Sequence, residues 1–395
     1  MQWFLIIKMK RKRINLFKEF FESEKIGGIL LIIATIASLL LTNVFIGKQF
    51  SEIWHIKFGL FSIEHIVNDG LMTIFFLLVG LELEREIYVG ELSNFKKALL
   101  PIIAAIGGMI APSLIHYLFN NGTITQSGAG IPTATDIAFS LAILSLFSKK
   151  VPNSLKIFLT ALAIADDLGA VFVIAIFYTK TITWTYLFIS LLIFSGLLVM
   201  NRLKVKKLWL YLLGGGLMWY FMLNSGIHAT ITGVMLAFAI PFTPQNNISI
   251  SLQHSLHKPV ALFILPLFAL VNTSIFIGSD WMSNLFTPNS YGIFFGLVLG
   301  KPIGILLLTS LAVLFKIAKL PGDLKWTHII GASFLAGIGF TMSIFVSNLA
   351  FNDELTIQFS QITVLISSLT AVILGVIWFR FFVTEKNRSV LNINE

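Results

Sequence analysis

Thr160-Ala161-Leu162-Ala163-Ile164-Ala165-Asp166-Asp167-Leu168-Gly169-Ala170 sets two adjacent carboxylates deep inside an apolar run near 154–179. An Asp at the centre of a membrane span costs about 2.5–3.5 kcal/mol on insertion scales, so it persists there only with a partner or a water-filled cavity, and usually for a function. Adjacent helical residues point about 100° apart. Thr160, Ala163, Asp167 and Ala170 therefore share a narrow stripe with Asp166 at its border, a small polar face able to line a cavity. Two neighbouring carboxylates in a low dielectric cannot both ionise cheaply. A group of that kind suits the exchange of a proton for a metal cation. Asp oxygens are hard ligands, apt for sodium or lithium and poor for soft transition metals.

The rest of the chain supplies the membrane. Of 395 residues, 56% are hydrophobic and only 12% charged, about half the charge of a soluble domain. That composition excludes disorder and leaves no polar shell for a soluble core. With no cysteine there is no disulfide framework, zinc cluster or thiol chemistry. A spanning helix needs about 20 largely apolar residues. Runs of that kind lie near 26–42, 66–89, 98–119, 124–147, 154–179, 184–201, 208–223, 227–241, 253–276, 291–315, 327–350 and 358–383, with 227–241 the shortest. The expected architecture is an all-α polytopic membrane protein of about twelve transmembrane helices.

Lys and Arg set the orientation. On this map 24 of the 28 basic residues fall on one side, including Lys8 to Lys25, Lys96, Lys149, Arg202, Lys204, Lys316 and Arg380. The opposite side holds only Lys48, Lys57 and Lys180, and Lys301 lies within a span. Both termini are thus expected in the cytoplasm, and the net charge of +9 reflects topology, not a nucleic-acid partner. The expected organisation is a basic cytoplasmic N-terminus (1–25), one transporter domain (26–383) and a cytoplasmic tail (384–395). Trp54 to His65, partly alternating around Gly59, reads as an external hairpin. The apolar stretch Trp3 to Ile7 is too short for a signal peptide, and Met9 is an alternative start to Met1.

Two spans are interrupted. The fourth contains Gly128-Ala129-Gly130-Ile131-Pro132-Thr133-Ala134-Thr135-Asp136, the eleventh Ala336-Gly337-Ile338-Gly339-Phe340-Thr341-Met342-Ser343. Each is the second element of a three-helix group (98–179 and 291–383), the pattern of an inverted-repeat transporter. Half-helix ends expose dipole charge at mid-membrane. Asp136 is suited to neutralise N-terminal ends, Lys301 C-terminal ends. Lys301 also needs a counter-ion, and Asp166 or Asp167 is the natural one. It follows Gly292, Gly296 and Gly300 and precedes Gly304, a ridge at four-residue spacing that lets another helix approach closely.

With these residues in place, the chain resembles the NhaA family of sodium/proton antiporters. The matching segments are Val67-Asn68-Asp69-Gly70 running into Phe75 to Glu82, Pro101 to Pro112, Pro132 to Phe139, Ala163 to Gly169, Gly226 to Gly233, Gly300 to Gly304 and Gly337 to Phe345. The resemblance implies inverted repeats in which the fourth and eleventh helices unwind and cross. It implies that Asp166 and Asp167 exchange sodium and protons, that Thr135 and Asp136 sit at the crossing, and that Lys301 pairs with the aspartates. It further implies a pH-sensing cluster at Glu82, Arg85 and Glu86, a similar role for His228, a homodimer contact at the hairpin, and residence in a bacterial inner membrane. No cofactor is implied. The chain departs from the family pattern at Gln253, where a Glu is familiar, at Glu84, where a Lys is, and in lacking a basic pair before His254; the pH set-point is not carried over.

A solvated ion-pair cluster accounts equally for Glu82, Arg85 and Glu86, and helix packing or solvation for His228, His254 and His257. The expected function is electrogenic, pH-regulated export of sodium or lithium in exchange for more than one proton. A cation channel and an ion-coupled organic-anion symporter share the inverted-repeat logic. An intramembrane aspartyl protease would need two opposed aspartates, such as Asp136 with Asp167, and leaves Lys301 unexplained.

Overall fold

Four helices begin where a short polar side chain precedes an apolar run. Asn94, Asp136, Thr287 and Asp353 accept hydrogen bonds from the backbone N–H groups of Lys96, Phe139, Ser290 and Thr356, satisfying donors that a helix start leaves orphaned. At the exposed Asp353, the hydroxyl and N–H of Thr356 hold the carboxyl below its usual range. Gly226, in the left-handed region (φ 87°), ends the helix Leu208–Ser225.

The computed structural model describes residues 25–59, 61–90, 93–179, 182–242, 248–278 and 285–383. The basic N-terminus and the C-terminal tail expected from the sequence lie outside the described residues, as do Lys180, Met1 and Met9. The chain is mostly helical, and helices occur in each of the expected apolar runs. Among the described residues, nine helices are long and apolar enough to cross a membrane: Lys25–Phe45, Ile63–Tyr88, Ala98–Asn120, Gln126–Leu146, Asn153–Ile174, Trp184–Arg202, Ile248–Asn272, Pro288–Leu314 and Glu354–Phe381. The bent pair Trp326–Ala336 and Phe340–Ala350 makes a tenth if it is one span. The other two segments, Leu208–Ser225 and Ile231–Ala239, are helical but fall short of that test, so nine or ten spans meet it among the described residues and the expected count of twelve is not confirmed.

Both breaks expected from Gly and Pro are present. In the fourth segment a 3-10 stretch, Gln126–Thr133, gives way to extended backbone at Ala134 and Asp136 before the helix Ile137–Leu146. In the eleventh, Trp326–Ala336 and Phe340–Ala350 meet at a 44° bend. Four intact spans instead carry widened turns, at Leu41–Phe45, Ile66–Leu71, Val260–Ile264 and Gly296–Gly300, and the last two stand just before Pro266 and Pro302. A π turn absorbs the backbone donor that proline lacks without ending the helix.

Packing follows the small residues. A Cβ at Gly107 would run into the carbonyl of Gly304, and one at Gly304 into that of Gly107. Gly292 faces His116, Gly296 faces Pro132 and then Pro112, and Gly300 faces Ile115 and Pro112. The glycine ridge before and after Lys301 is therefore the surface that joins Phe95–Asn120 to the tenth segment. These are the first elements of the two three-helix groups, packed back to back. Gly80 approaches Ala237, and Gly233 approaches the backbone at Thr73, so Ile231–Ala239 runs parallel along Met72–Tyr88. The hairpin is narrower than the expected 54–65. Lys57–Phe58 pairs antiparallel with Phe61–Ser62, Trp54 ends a short helix, and Ile63–His65 is helical again.

Candidate functional site: buried carboxylates at a helix crossing

The two broken segments cross and bond to each other through the groups their breaks release. The Asp136 N–H donates to the Ile338 carbonyl at 2.7 Å, and the Ser140 hydroxyl to the Leu335 carbonyl at 2.8 Å. In return the Ser343 hydroxyl donates to the Ile131 carbonyl at 2.7 Å. The Thr135 hydroxyl stands 2.9 Å from the Ala336 carbonyl and 2.7 Å from Asp166 Oδ2, and its single proton serves one of them at a time.

Asp136 occupies the N-terminal ends of both half-helices. Its Oδ1 accepts from the Phe139 N–H at 2.9 Å, and its Oδ2 from the Thr341 N–H at 3.2 Å and the Thr341 hydroxyl. Lys301 serves the opposite pole. Its ammonium donates to the Thr133 carbonyl, at the end of the 3-10 stretch, and lies 3.0 Å from Asp166 Oδ2. Carboxylate at two helix starts and ammonium at a helix end is the arrangement the backbone dipoles favour. Lys301 and Asp166 are both fully buried. Gly108 packs beside this pair, where a Cβ would crowd Ile305 Cγ1 at 3.0 Å and touch Lys301 Cε at 3.6 Å.

Asp167 is different. It is fully buried, and neither of its carboxylate oxygens has a hydrogen-bond partner among the described residues; the same holds for Asp166 Oδ1. A buried carboxylate without partners is costly. It borders a cavity of about 40 Å³ that is also lined by Asp136, Thr341, Leu265, Glu82 and His257, on the scale of one or two water-sized occupants. The tertiary structure thus brings Asp136, Asp166, Asp167, Thr135 and Lys301 together, from three separate segments.

The proposed pH-sensing residues divide. Glu82 is buried at the cavity's far end with His257 Nδ1 3.7 Å from its carboxylate, and Arg85 pairs with Glu86 at 2.9 Å. His228 is not part of this cluster. It lies five residues before Gly233, at the end of the helix pair where Thr73 packs, whereas Glu82 is just beyond Gly80 at the other end. The departures from the family pattern meet the same interface. Glu84 is buried and accepts from the Ser249 hydroxyl at 2.8 Å, and Gln253 is buried one turn on. Sequence reasoning passed over two residues. Thr341 was legible as the hydroxyl just after the Gly337–Gly339 break; His257 was weighed no differently from His254, because only the fold brings it to Glu82.

Residues 18–379 match the Na+/H+ antiporter 1 family. The chain belongs to that family. It is 59% identical to the Na(+)/H(+) antiporter NhaA of Cytophaga hutchinsonii, over 94% of this chain and 96% of that protein. It is 58% identical to the Na(+)/H(+) antiporter NhaA of Flavobacterium psychrophilum, over 96% and 99%. The family's members are transporters, not enzymes. Its fold is also that of the sodium proton antiporter MjNhaP1 from Methanocaldococcus jannaschii, with a TM-score of 0.52 over 92% of this chain and 96% of that one, at 14% identity.

Proposed function

We propose that this multi-pass membrane protein exports sodium, or lithium, in electrogenic exchange for more than one proton, with activity regulated by pH. The observation that carries the reading is Asp167: a fully buried carboxylate with no hydrogen-bond partner among the described residues, on a cavity, beside a second carboxylate held by Lys301. An unsatisfied buried carboxylate is relieved by a proton or by a cation, and the two occupants exclude each other. Binding sodium at Asp167 with help from Asp166 Oδ1 therefore displaces protons. Displacing the Lys301 ammonium from Asp166 gives a second route by which charge rearranges on binding. Each net charge entering down the membrane potential releases about 2.3 kcal/mol per 100 mV, which drives cation export.

In this reading residues 1–25 and 384–395 are cytoplasmic ends of one transporter domain spanning 26–383, in the inner membrane of a bacterium. The protein works as a homodimer in lipid, joined at the hairpin. Glu82, Arg85 and Glu86 sense cytoplasmic pH, and His228 contributes from the other end of its helix pair. The protease alternative loses its premise, since the Asp136 carboxylate is tied to two helix starts.

The test is sodium-induced collapse of a pre-formed pH gradient in everted vesicles lacking other antiporters, scanned between about pH 6 and 9. Collapse in the parent and none in Asp167→Asn at matched expression supports the assignment. A folded, inserted parent that responds to neither sodium nor lithium at any pH overturns it.

A further inference from the structure

Val67-Asn68-Asp69-Gly70 carries the family resemblance but has no part in the carboxylate site. Asn68 begins a chain of four side-chain amides drawn from four helical segments. It exchanges two hydrogen bonds with Asn272: Asn68 Nδ2 donates to Asn272 Oδ1 at 3.1 Å, and Asn272 Nδ2 to Asn68 Oδ1 at 2.7 Å. Asn272 Nδ2 also donates to the Phe268 carbonyl at 2.9 Å, fixing the amide's orientation. Asn348 Nδ2 then donates to Asn272 Oδ1 at 2.6 Å, and Gln361 Nε2 to Asn348 Oδ1 at 2.8 Å. Asn272 and Gln361 are buried. Every donor and acceptor of the Asn272 amide is in use.

The chain sits on a particular seam. Asn348 and Gln361 belong to the second three-helix group, which carries the crossing; Asn68 and Asn272 belong to the segments that face it. The same three segments repeat one order of layers along that seam. Val79, Leu265 and Thr341 line the cavity beside Asp167. The next layer is Phe76, Phe268 and Phe345, all buried, with the Phe345 ring 5.4 Å from Phe76 and 6.3 Å from Phe268. Beyond it stand Asn68, Asn272 and Asn348, on the hairpin side that the Lys/Arg distribution places outside. Of the amide bonds, only Asn348 to Asn272 crosses the seam; the others hold each bank together.

We propose that the Asn348–Asn272 hydrogen bond is the latch of an external gate whose plug is Phe76, Phe268 and Phe345, and that it must break for Asp167 to reach the outside. This rests on the exchange reading, because only a transporter needs both faces to open. A polar bond inside an apolar seam suits a latch: it is worth most when its surroundings are dry, and water entering an opening gate replaces it. When it parts, the Asn272 amide keeps its bonds to Asn68 and Phe268 and the Asn348 carbonyl oxygen keeps Gln361, while the entering water accepts from the freed Asn348 amide N–H.

The chain has no native cysteine, so Leu265→Cys gives a single reporter behind the plug. Its labelling by a membrane-impermeant maleimide is measured from outside, in right-side-out vesicles. Losing one hydrogen bond of the closed state should raise the external labelling rate about fivefold in Asn348→Ala and in the isosteric Asn348→Asp. Asn43→Ala, which removes an amide bonded to Leu39, Ile275 and Ile277 away from the seam, should label as the parent does. Unchanged labelling in both Asn348 variants, with each eluting as folded protein, overturns the latch. Should those variants not fold, Asn272→Cys with Asn348→Cys, joined by a short reducible bis-thiosulfonate, decides. Exchange stopped by the bridge and restored by reductant supports the latch; exchange at the unbridged rate overturns it. Labelling does not depend on exchange, so a chain that labels as expected but moves no sodium retains the latch and refutes the antiport reading instead.

Discussion

Asp166 and Asp167 are neighbours in sequence and opposites in circumstance: Asp166 Oδ2 lies 3.0 Å from Lys301 Nζ and 2.7 Å from the Thr135 hydroxyl, while Asp167 accepts no side-chain hydrogen bond among the described residues. Turning 100° along one helix is enough to separate a paired carboxylate from an open one. The paired carboxylate is part of the scaffold at the crossing, and the open one faces the cavity. The two aspartates should therefore fail differently when changed.

For the pair, Lys301→Ala leaves Asp166 buried without its cation and the Thr133 carbonyl without its donor. Breaking a buried pair on one side costs about 3–5 kcal/mol, so the variant should melt well below the parent in detergent. Asp166→Asn in the same chain removes the stranded charge and should recover most of that loss. A double-mutant cycle measures it; additive single effects would mean that the 3.0 Å contact carries no energy.

For the open carboxylate, Asp167→Asn should abolish sodium exchange while keeping or raising the melting temperature, because it removes a buried group that has no partner. A variant that both loses exchange and melts far below the parent would place Asp167 in the scaffold instead.

Much of this was legible in the sequence, because lipid makes charge conspicuous. Four ionisable residues stand out inside apolar runs, Asp136, Asp166, Asp167 and Lys301, and these are the ones the fold gathers at the crossing, while Gly/Pro punctuation located both breaks. The partition of roles was not legible. Nothing in the spacing says that Lys301 meets Asp166 and not Asp167, since that depends on how closely Gly107 and Gly304 let two helices approach. The number of spans was also beyond reach, for Leu208–Ser225 and Ile231–Ala239 are helical yet too short or too polar to qualify by themselves. The amide chain was invisible, because single Asn and Gln residues within helices carry no periodic signal.

Asp136 caps two half-helices at once, and its loss should be felt at both. Removing an ordinary cap costs about 0.5–2 kcal/mol, the range expected for Asn94→Ala at an exposed helix start. Asp136→Ala strips acceptors from Phe139 and Thr341 inside the protein, where each unsatisfied donor costs about 1–3 kcal/mol. It should destabilise clearly more than Asn94→Ala, with Asp136→Asn in between. Equal melting shifts for Asp136→Ala and Asn94→Ala would show that the crossing is held by its other bonds.

Glycine content alone says little about where the chain tolerates bulk, but two positions make a matched pair. Gly216→Ala, in an exposed stretch of Leu208–Ser225 with nothing within 4 Å, should gain about 0.5–1 kcal/mol from reduced chain entropy. Gly304→Ala places a methyl against the Gly107 carbonyl and Ala111, so the back-to-back helices must separate, at about 1–3 kcal/mol or more. Separation also loosens the packing around Lys301, three residues away in sequence. Gly304→Ala should consequently lower exchange as well as melting temperature, and Gly216→Ala neither. Equal melting for the two variants would remove the close approach as an explanation of the glycine ridge.

Competition between sodium and protons at one carboxylate has a kinetic signature. If a proton must leave Asp167 before sodium binds, the apparent KM for sodium falls by about one log unit for each pH unit gained while the site is mostly protonated, and by about two if two protons leave together. The maximal rate at saturating sodium should change far less over the same range, since sodium then displaces the protons by mass action. Regulation through Glu82 and His257 would act differently, changing the fraction of molecules able to cycle and therefore the maximal rate. Measuring initial rates against sodium at several pH values separates the two. A KM independent of pH with a maximal rate that rises with pH would place the proton elsewhere and give the cavity's far end, not Asp167, control of the pH response.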